Sequence, residues 1–364
     1  MESLPLSAMP IFAKSKVQEK YVFPPEKRLV SIQQVLPICD INKMSPIDVI
    51  IPSFTLTAGT INIPIIDFRD DKNLIHQIMT ASRDFGVFQV INHGVSLDLM
   101  NDAMNIFNKI FDLPLEERFK INKKDDLNQV CRYYSSSVNY NTEEFHFWRE
   151  ILKHKCEPMK ECMKYWPENP KQYREIIGSY VIALKDMSKK ILELISQGLG
   201  LEQKYFENDL SKEKLLTINH YPKCPDPSVT IGLPKHKDPT ILNILQVAPI
   251  EVPGLQFLKD GQWFGIDTSP NAFLIFIGNQ LEVISNGKLK SVVHRVMNAT
   301  KARTSSVFFT SPSSECIIEP AKILVQGETP LYKSFQYKEY LDIHIGNDGD
   351  RDAILEGYGF KIKS

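Results

Sequence analysis

Gly232-Leu233-Pro234-Lys235-His236-Lys237-Asp238-Pro239 is the stretch from which the rest of the chain can be read. His236 and Asp238 stand two residues apart, and on a β-strand that spacing turns both side chains to one face. A second histidine, His294, follows several candidate strands later. Two imidazoles and one carboxylate are the ligand set of a non-haem Fe(II) facial triad, which leaves the opposite coordination positions open. Arg303 and Ser305 come soon after His294, again with i, i+2 spacing. A planar guanidinium fork beside a hydroxyl suits the remote carboxylate of a second, acidic substrate.

Each signal has an ordinary explanation when taken alone. H-x-D arises by chance in a chain with eight histidines, and a surface His-Lys-Asp with an unrelated core histidine would look the same. A strand-end arginine is usually exposed and structural. The order weighs against coincidence. Asn219 and Tyr221 extend the apolar run Leu215–Ile218, and the H-x-D, the distal histidine and the Arg/Ser pair follow within one strand-rich tract.

Outward from that tract, short apolar runs are split by Gly, Pro, Asn and Asp, as antiparallel strands are. They include Ile241–Leu245, Leu255–Leu258, Trp263–Ile266, Phe273–Ile277, Val292–Val296 and Ser305–Phe309, with Asp260-Gly261 and Asn286-Gly287 as hairpin signals. The chain before Leu215 differs. Ile61–Asp67 reads as a short strand. A helix follows with Leu74, Ile78, Ala81 and Phe85 on one face, capped by Asp70 or Asp71 and stopped at Gly86. Val87–Asn92 is β-rich. A second helix buries Leu99, Ala103, Ile106, Phe107 and Ile110, and a long one lies between Pro170 and Gly200. Helices first and strands afterwards indicate an α+β fold, a jelly-roll (double-stranded β-helix) core flanked by N-terminal helices. The expected organisation is an irregular, Pro-punctuated arm over 1–60, a mainly helical region over 61–210, a jelly-roll catalytic core over 211–315 and a tail over 316–364. The tail aromatics Tyr332, Phe335, Tyr337 and Tyr340 fit either a lid or a packed helix.

The bulk numbers exclude several classes. A length of 364 residues suits one large domain or two small ones. Forty-three basic against 44 acidic residues leave a net charge of −1, which favours neither nucleic acid nor an anionic membrane. No apolar run nears the roughly 18 residues that span a bilayer, and no secretory signal is apparent, so a cytoplasmic, monomeric protein is expected. Six cysteines without a C-x-x-C fit free thiols better than zinc knuckles or disulfides. His93, His220, His76, His146, His154, His344 and Cys224 are read as structural.

These stretches together resemble the soluble plant Fe(II)/2-oxoglutarate-dependent dioxygenases. The resemblance runs from Ile63-Pro64-Ile65-Ile66-Asp67 through Asp84–Gly94, Asn219–Pro227, Gly232–Pro239, Ser285-Asn286-Gly287 and His294-Arg295-Val296 to about Phe335. It implies iron held by His236, Asp238 and His294. It also implies 2-oxoglutarate held by Arg303 and Ser305, with Tyr221 assisting and Asn219 orienting the site. O2 is the oxidant and ascorbate the expected reductant. Phe147-Trp148-Arg149-Glu150 and Cys156-Glu157-Pro158 look most like the hyoscyamine 6-hydroxylase-like group of specialised metabolism. The implied activity is oxidation of a small metabolite, an alkaloid among the candidates. Hydroxylation leads desaturation, demethylation and ring formation. Related halogenases have a small residue in place of the carboxylate, so Asp238 argues against halogenation. Two stretches depart from the pattern: Gly278-Asn279, where Gly-Asp is common, and Val247–Pro253, where an acidic, Gly-rich link is common. The competing functions are an ascorbate-dependent oxidase of the same fold, a catalytically silent small-molecule binding protein and, more remotely, a zinc hydrolase.

Overall fold

The computed structural model describes residues 16–28, 63–70, 72–123, 125–126, 128–247, 254–327, 329–346, 354–357 and 360. Most of the expected arm, and the departure at 248–253, lie outside the described residues. Its described part packs Tyr21 against Trp148 and Cys224.

β1 (Ile65–Asp67), α1 (Leu74–Asp84), β2 (Val87–Ile91), α2 (Leu97–Asp112) and α3 (Leu115–Phe119) open the fold. β3 (Cys131–Ser135), β4 (Glu150–Lys155), α4 (Met159–Cys162) and the long α5 (Tyr173–Gly198) follow. Then come β5 (Glu213–Tyr221), β6 (Leu233–His236), β7 (Leu242–Val247), β8 (Leu255–Lys259), β9 (Gln262–Gly265) and β10 (Phe273–Ile277). The chain continues with α6 (Asn279–Ile284), β11 (His294–Val296), β12 (Arg303–Ser311), β13 (Ile317–Ile318), β14 (Phe335–Gln336) and α7 (Tyr337–Gly346).

Eight strands form one sheet in the order β1-β2-β10-β7-β12-β5-β4-β3, and β6-β11-β8-β9 form a smaller one. The two are the walls of a double-stranded β-helix. Strand alternation sorts the large sheet's side chains into two environments. One phase, including Leu216, Ile218, Ile244 and Phe308, joins the main core with α1, α2 and α5. Polar residues of that phase are tied to the helices. The Tyr180 hydroxyl donates to Gln246 Oε1 at 2.6 Å, and Gln246 Nε2 donates to the Met100 carbonyl at 3.0 Å. The opposite phase meets the small sheet, with Leu245, Leu274 and Phe276 against Phe257 at one end and a cavity at the other.

Several local expectations change. The position before α1 is Asn73, with no side-chain cap; Asp70 instead accepts from the Gln77 side chain, and Asp71 is outside the described residues. Gly86 does end α1, at φ +70°, and a Cβ there would fall 2.4 Å from the Lys290 carbonyl. Asp260-Gly261 turns the β8–β9 hairpin. Asn286-Gly287 does not turn a hairpin: its two positive-φ residues close the end of α6, where the Gly287 amide donates to the Glu282 carbonyl at 2.9 Å. A left-handed pair serves either purpose. β3 and β4, which the sequence did not single out as strands, extend the large sheet beside β5. The tail aromatics Tyr332, Phe335, Tyr337 and Tyr340 are all buried in the main core, but only Tyr337 and Tyr340 lie on a helix, α7; Phe335 is on β14 and Tyr332 precedes it.

Candidate metal centre

β6 is an edge strand, which tolerates Pro234. It ends at His236, so Asp238 sits just beyond the strand rather than on it. β11 begins at His294, which lies directly opposite His236 in the antiparallel register. The His236 and His294 rings are 4.1 Å apart between centroids. His236 Nε2 lies 3.5 Å from Asp238 Oδ1, and His294 Nε2 lies 3.5 Å from Asp238 Oδ2. All three side chains are buried, and their ligand atoms fall within 4.8 Å of one another. Among the described residues no other group of three His, Cys, Asp or Glu side chains converges in this way.

The remaining nitrogens fix which atoms face inward. His236 Nδ1 donates to the Pro234 carbonyl at 2.9 Å, and His294 Nδ1 donates to the Val292 carbonyl at 3.1 Å. Both Nε2 atoms are thereby left as lone-pair donors, as metal-binding histidines require. Burial pushes the His294 imidazolium down, and the neighbouring His236 adds to this, giving a pKa of about 4. Burial would raise Asp238, but the charges and hydrogen bond of His294 and His236 outweigh it and hold the carboxyl at about 2. The site therefore presents a carboxylate and a neutral imidazole near neutral pH.

Sequence reading missed the support behind Asp238. Asn243 Nδ2 donates to Asp238 Oδ2 at 2.7 Å, and the Thr240 hydroxyl donates to Asn243 Oδ1 at 2.6 Å. The only signal was a polar residue at a cavity-facing position of β7. His344 was also missed as a cavity residue; α7 brings it to the wall. Asn279, at the departure from the family pattern, donates its amide to the Asp238 carbonyl at 2.8 Å and its side chain to the Tyr340 hydroxyl.

The expected co-substrate residues gather on the large sheet. Arg303 pairs with Tyr221, and Ser305 with Asn219, across β12 and β5. All four line the same cavity of about 570 Å³ as the triad. The Arg303 guanidinium lies 4.7 Å from the Tyr221 ring centroid, donates to the Met297 carbonyl, and keeps Nε buried without a partner. Gly254 makes room for it: a Cβ there would fall 1.0 Å from an Arg303 nitrogen. A buried cation with an unsatisfied donor on the wall of a cavity fits an anionic ligand. The donor set also fits iron.

Four other histidines are accounted for structurally. His220 faces away from the cavity, stacks on Phe111 and bonds to Thr304 at 3.0 Å. His154 stacks on Trp166 and bonds to the Tyr173 hydroxyl at 2.8 Å. His146 pairs with Glu143, and His93 contacts the Asn271 carbonyl. Cys224 is buried beside Thr230.

Residues 212–312 match the 2OG-Fe(II) oxygenase superfamily, and residues 63–173 match the N-terminal region of non-haem dioxygenases in morphine synthesis. Hyoscyamine 6-dioxygenase of Hyoscyamus niger is 37% identical over 314 residues, covering 83% of this chain and 90% of that protein. Flavanone 3-dioxygenase 2 of Oryza sativa subsp. japonica is 36% identical over 310 residues, covering 84% and 90%. The crystal structure of JOX2 in complex with 2OG, Fe and JA superposes with a TM-score of 0.78 at 28% identity, covering 95% of this chain and 94% of that one.

Proposed function

The chain belongs to the plant 2OG-Fe(II) oxygenase family, and from that premise we propose that it hydroxylates a small specialised metabolite, using His236, Asp238 and His294 to hold the metal. It is a 2-oxoglutarate-dependent dioxygenase that uses Fe(II). When bound, iron with 2-oxoglutarate and O2 supplies the oxidation of a C–H bond, with succinate and CO2 as co-products.

The protein's own groups orient and shield. Three ligands on one side of the site leave the cavity side open to small molecules. The Thr240–Asn243–Asp238 chain fixes the carboxylate's rotation. Arg303 receives the far carboxylate of 2-oxoglutarate, with Ser305 beside it, Tyr221 stacked beneath the guanidinium and Asn219 bordering the wall. Asp238 occupies the position a halide would need, so oxygen insertion or hydrogen removal is the outcome.

The single observation that carries 2-oxoglutarate over ascorbate as co-substrate is the buried, partly unsatisfied Arg303 on the cavity wall. Ascorbate serves as the reductant. The similar proteins are named for an alkaloid in one case and a flavanone in another, so similarity supports oxidation of a plant metabolite without choosing its class. The test is succinate released per substrate consumed, with products read by mass as +16 or −2. Substrate oxidised with ascorbate but without 2-oxoglutarate would refute it. Among the described residues no helix is long and apolar enough to cross a membrane.

A further inference from the structure

We infer that the substrate carries an anionic group, most simply a carboxylate, and that Lys153 and Lys155 of β4 bind it inside the cavity. The inference rests on the oxygenase reading and extends it to the substrate's chemical class. β4 pairs with β5 so that Ile151 lies opposite Asn219, Lys153 opposite Thr217 and Lys155 opposite Leu215. Thr217 and Asn219 face the cavity, so the two lysines, at i, i+2, enter it from the same face. Both line its wall.

Lys214 also lines this cavity, but its ammonium donates to the Ser211 carbonyl. Lys123, Lys185 and Lys189 at the surface find Glu168, Glu157 and Glu207. Neither Lys153 nor Lys155 has an ion pair or a side-chain hydrogen bond to any described residue. Two partly buried ammonium groups thus point from one strand into the cavity. Burial pushes Lys153 below its ordinary pKa, and the charge of Lys155 adds to this. An anion placed between them would offset both costs, because buried charges are stable when paired. A protonated amine would meet like charge.

The acids near this space do not serve as partners. Glu213 lines the cavity at the exposed start of β5, outside ion-pair distance of either lysine, and Asp238 belongs to the triad. The lysines are also separate from the co-substrate residues. Arg303 and Ser305 sit on β12, two strands away from β4, on the order of 10 Å at the usual strand spacing. Thr217 and Asn219 of β5 lie between them, and level with the lysines the wall is apolar, with Leu215, Val307 and Phe309. The substrate that fits has an apolar body over these residues and an acid end at Lys153 and Lys155.

The test uses the full-length protein loaded with iron and 2-oxoglutarate, and three probes of one shape. These are 3-phenylpropanoate, its neutral amide and 3-phenylpropylamine, titrated by quenching of tryptophan fluorescence. The expected order is anion, then neutral, then cation, with about a tenfold preference for the anion over the amide. Lys153→Met should cut that preference severalfold, and Lys153→Met with Lys155→Met should erase it. The thermal midpoint should hold or rise, because the variants remove unpaired charge; a merely structural lysine would lower it. Affinity for 2-oxoglutarate should stay unchanged. Equal or inverted affinities, a preference that survives in the double variant, or loss of 2-oxoglutarate binding in its place would each overturn the inference. The oxygenase reading fails on a different measurement, the absence of succinate formation with plant metabolite extracts, which leaves the binding order as measured.

Discussion

The two faces of the large sheet are made by the same strands and do opposite work. On β12, Ser306, Phe308 and Thr310 turn toward the helices, where Thr310 bonds to Ser188 at 2.8 Å and Phe308 is fully buried. One residue out of phase, Arg303, Ser305, Val307 and Phe309 turn toward the cavity. The helix face is filled by the protein's own groups, and stability follows from it. The cavity face presents donors and cations to small molecules, and chemistry follows from that. The comparison predicts that substitutions on the two faces separate stability from function.

The largest effect should come from the metal centre. His294→Ala should abolish iron binding and lower turnover by more than about a hundredfold, since even groups behind metal ligands are worth about 10- to 100-fold. Its thermal midpoint without metal should move little, because the side chain borders a cavity. Iron analysis and calorimetry on one sample check both halves; retained iron would remove His294 from the site. Phe308→Ala should do the reverse. A fully buried phenylalanine truncated to alanine costs about 3–5 kcal/mol. The protein that remains folded should still bind iron with unchanged affinity. Denaturant unfolding beside metal titration measures it, and a stable but iron-deficient variant would break the division between faces.

The sequence made some of this legible and hid the rest for physical reasons. The H-x-D pair is local, and its same-face geometry needs only the alternation of extended chain. Arg303 and Ser305 share that property. β3 and β4 were hidden because Cys131-Arg132-Tyr133-Tyr134-Ser135 and Glu150-Ile151-Leu152-Lys153-His154-Lys155 mix charge into the strand. Pattern reading assigns charge to bulk solvent, whereas here Lys153 and Lys155 line the wall of the cavity that holds the metal ligands. Asn243 was hidden because its meaning lies in a contact with Asp238 that only the folded chain creates. Asn286-Gly287 was ambiguous because a left-handed pair ends a helix as readily as it turns a hairpin.

Two intermediate effects sharpen the picture within the cavity face. Arg303→Leu should raise the KM for 2-oxoglutarate about 10- to 100-fold while iron content holds, through loss of a charge-assisted contact. An unchanged KM would take Arg303 out of the co-substrate site. Asn243→Ala should weaken iron about tenfold, because Asp238 loses the donor that orients it. Equilibrium titration with Fe(II) under anaerobic conditions reads this directly, and an affinity equal to that of the parent would leave Asn243 as packing only.

The smallest effect concerns acid, and it returns to the helix face. His154 is fully buried between β4 and the helices, and burial pushes its pKa from 6.5 down to about 3. The folded protein therefore keeps His154 neutral where the unfolded chain would protonate it. Between pH 6.5 and about 3 the unfolded state binds the extra proton, so stability rises with pH across that window and falls as acid is added. Above pH 6.5 both states are neutral and this contribution is flat. At pH 5.5 the loss from one such histidine is about 1.4 kcal/mol relative to pH 7.5. His154→Gln removes the titration and should shallow the acid slope by about that amount, whatever it does to stability at neutral pH. The comparison is between slopes, measured by denaturant unfolding of metal-free protein from pH 7.5 to pH 5.5. Metal-free protein is needed because bound iron would add its own proton competition at His294. An identical slope in the variant would show that the acid sensitivity arises elsewhere, with the cavity face as the first place to look.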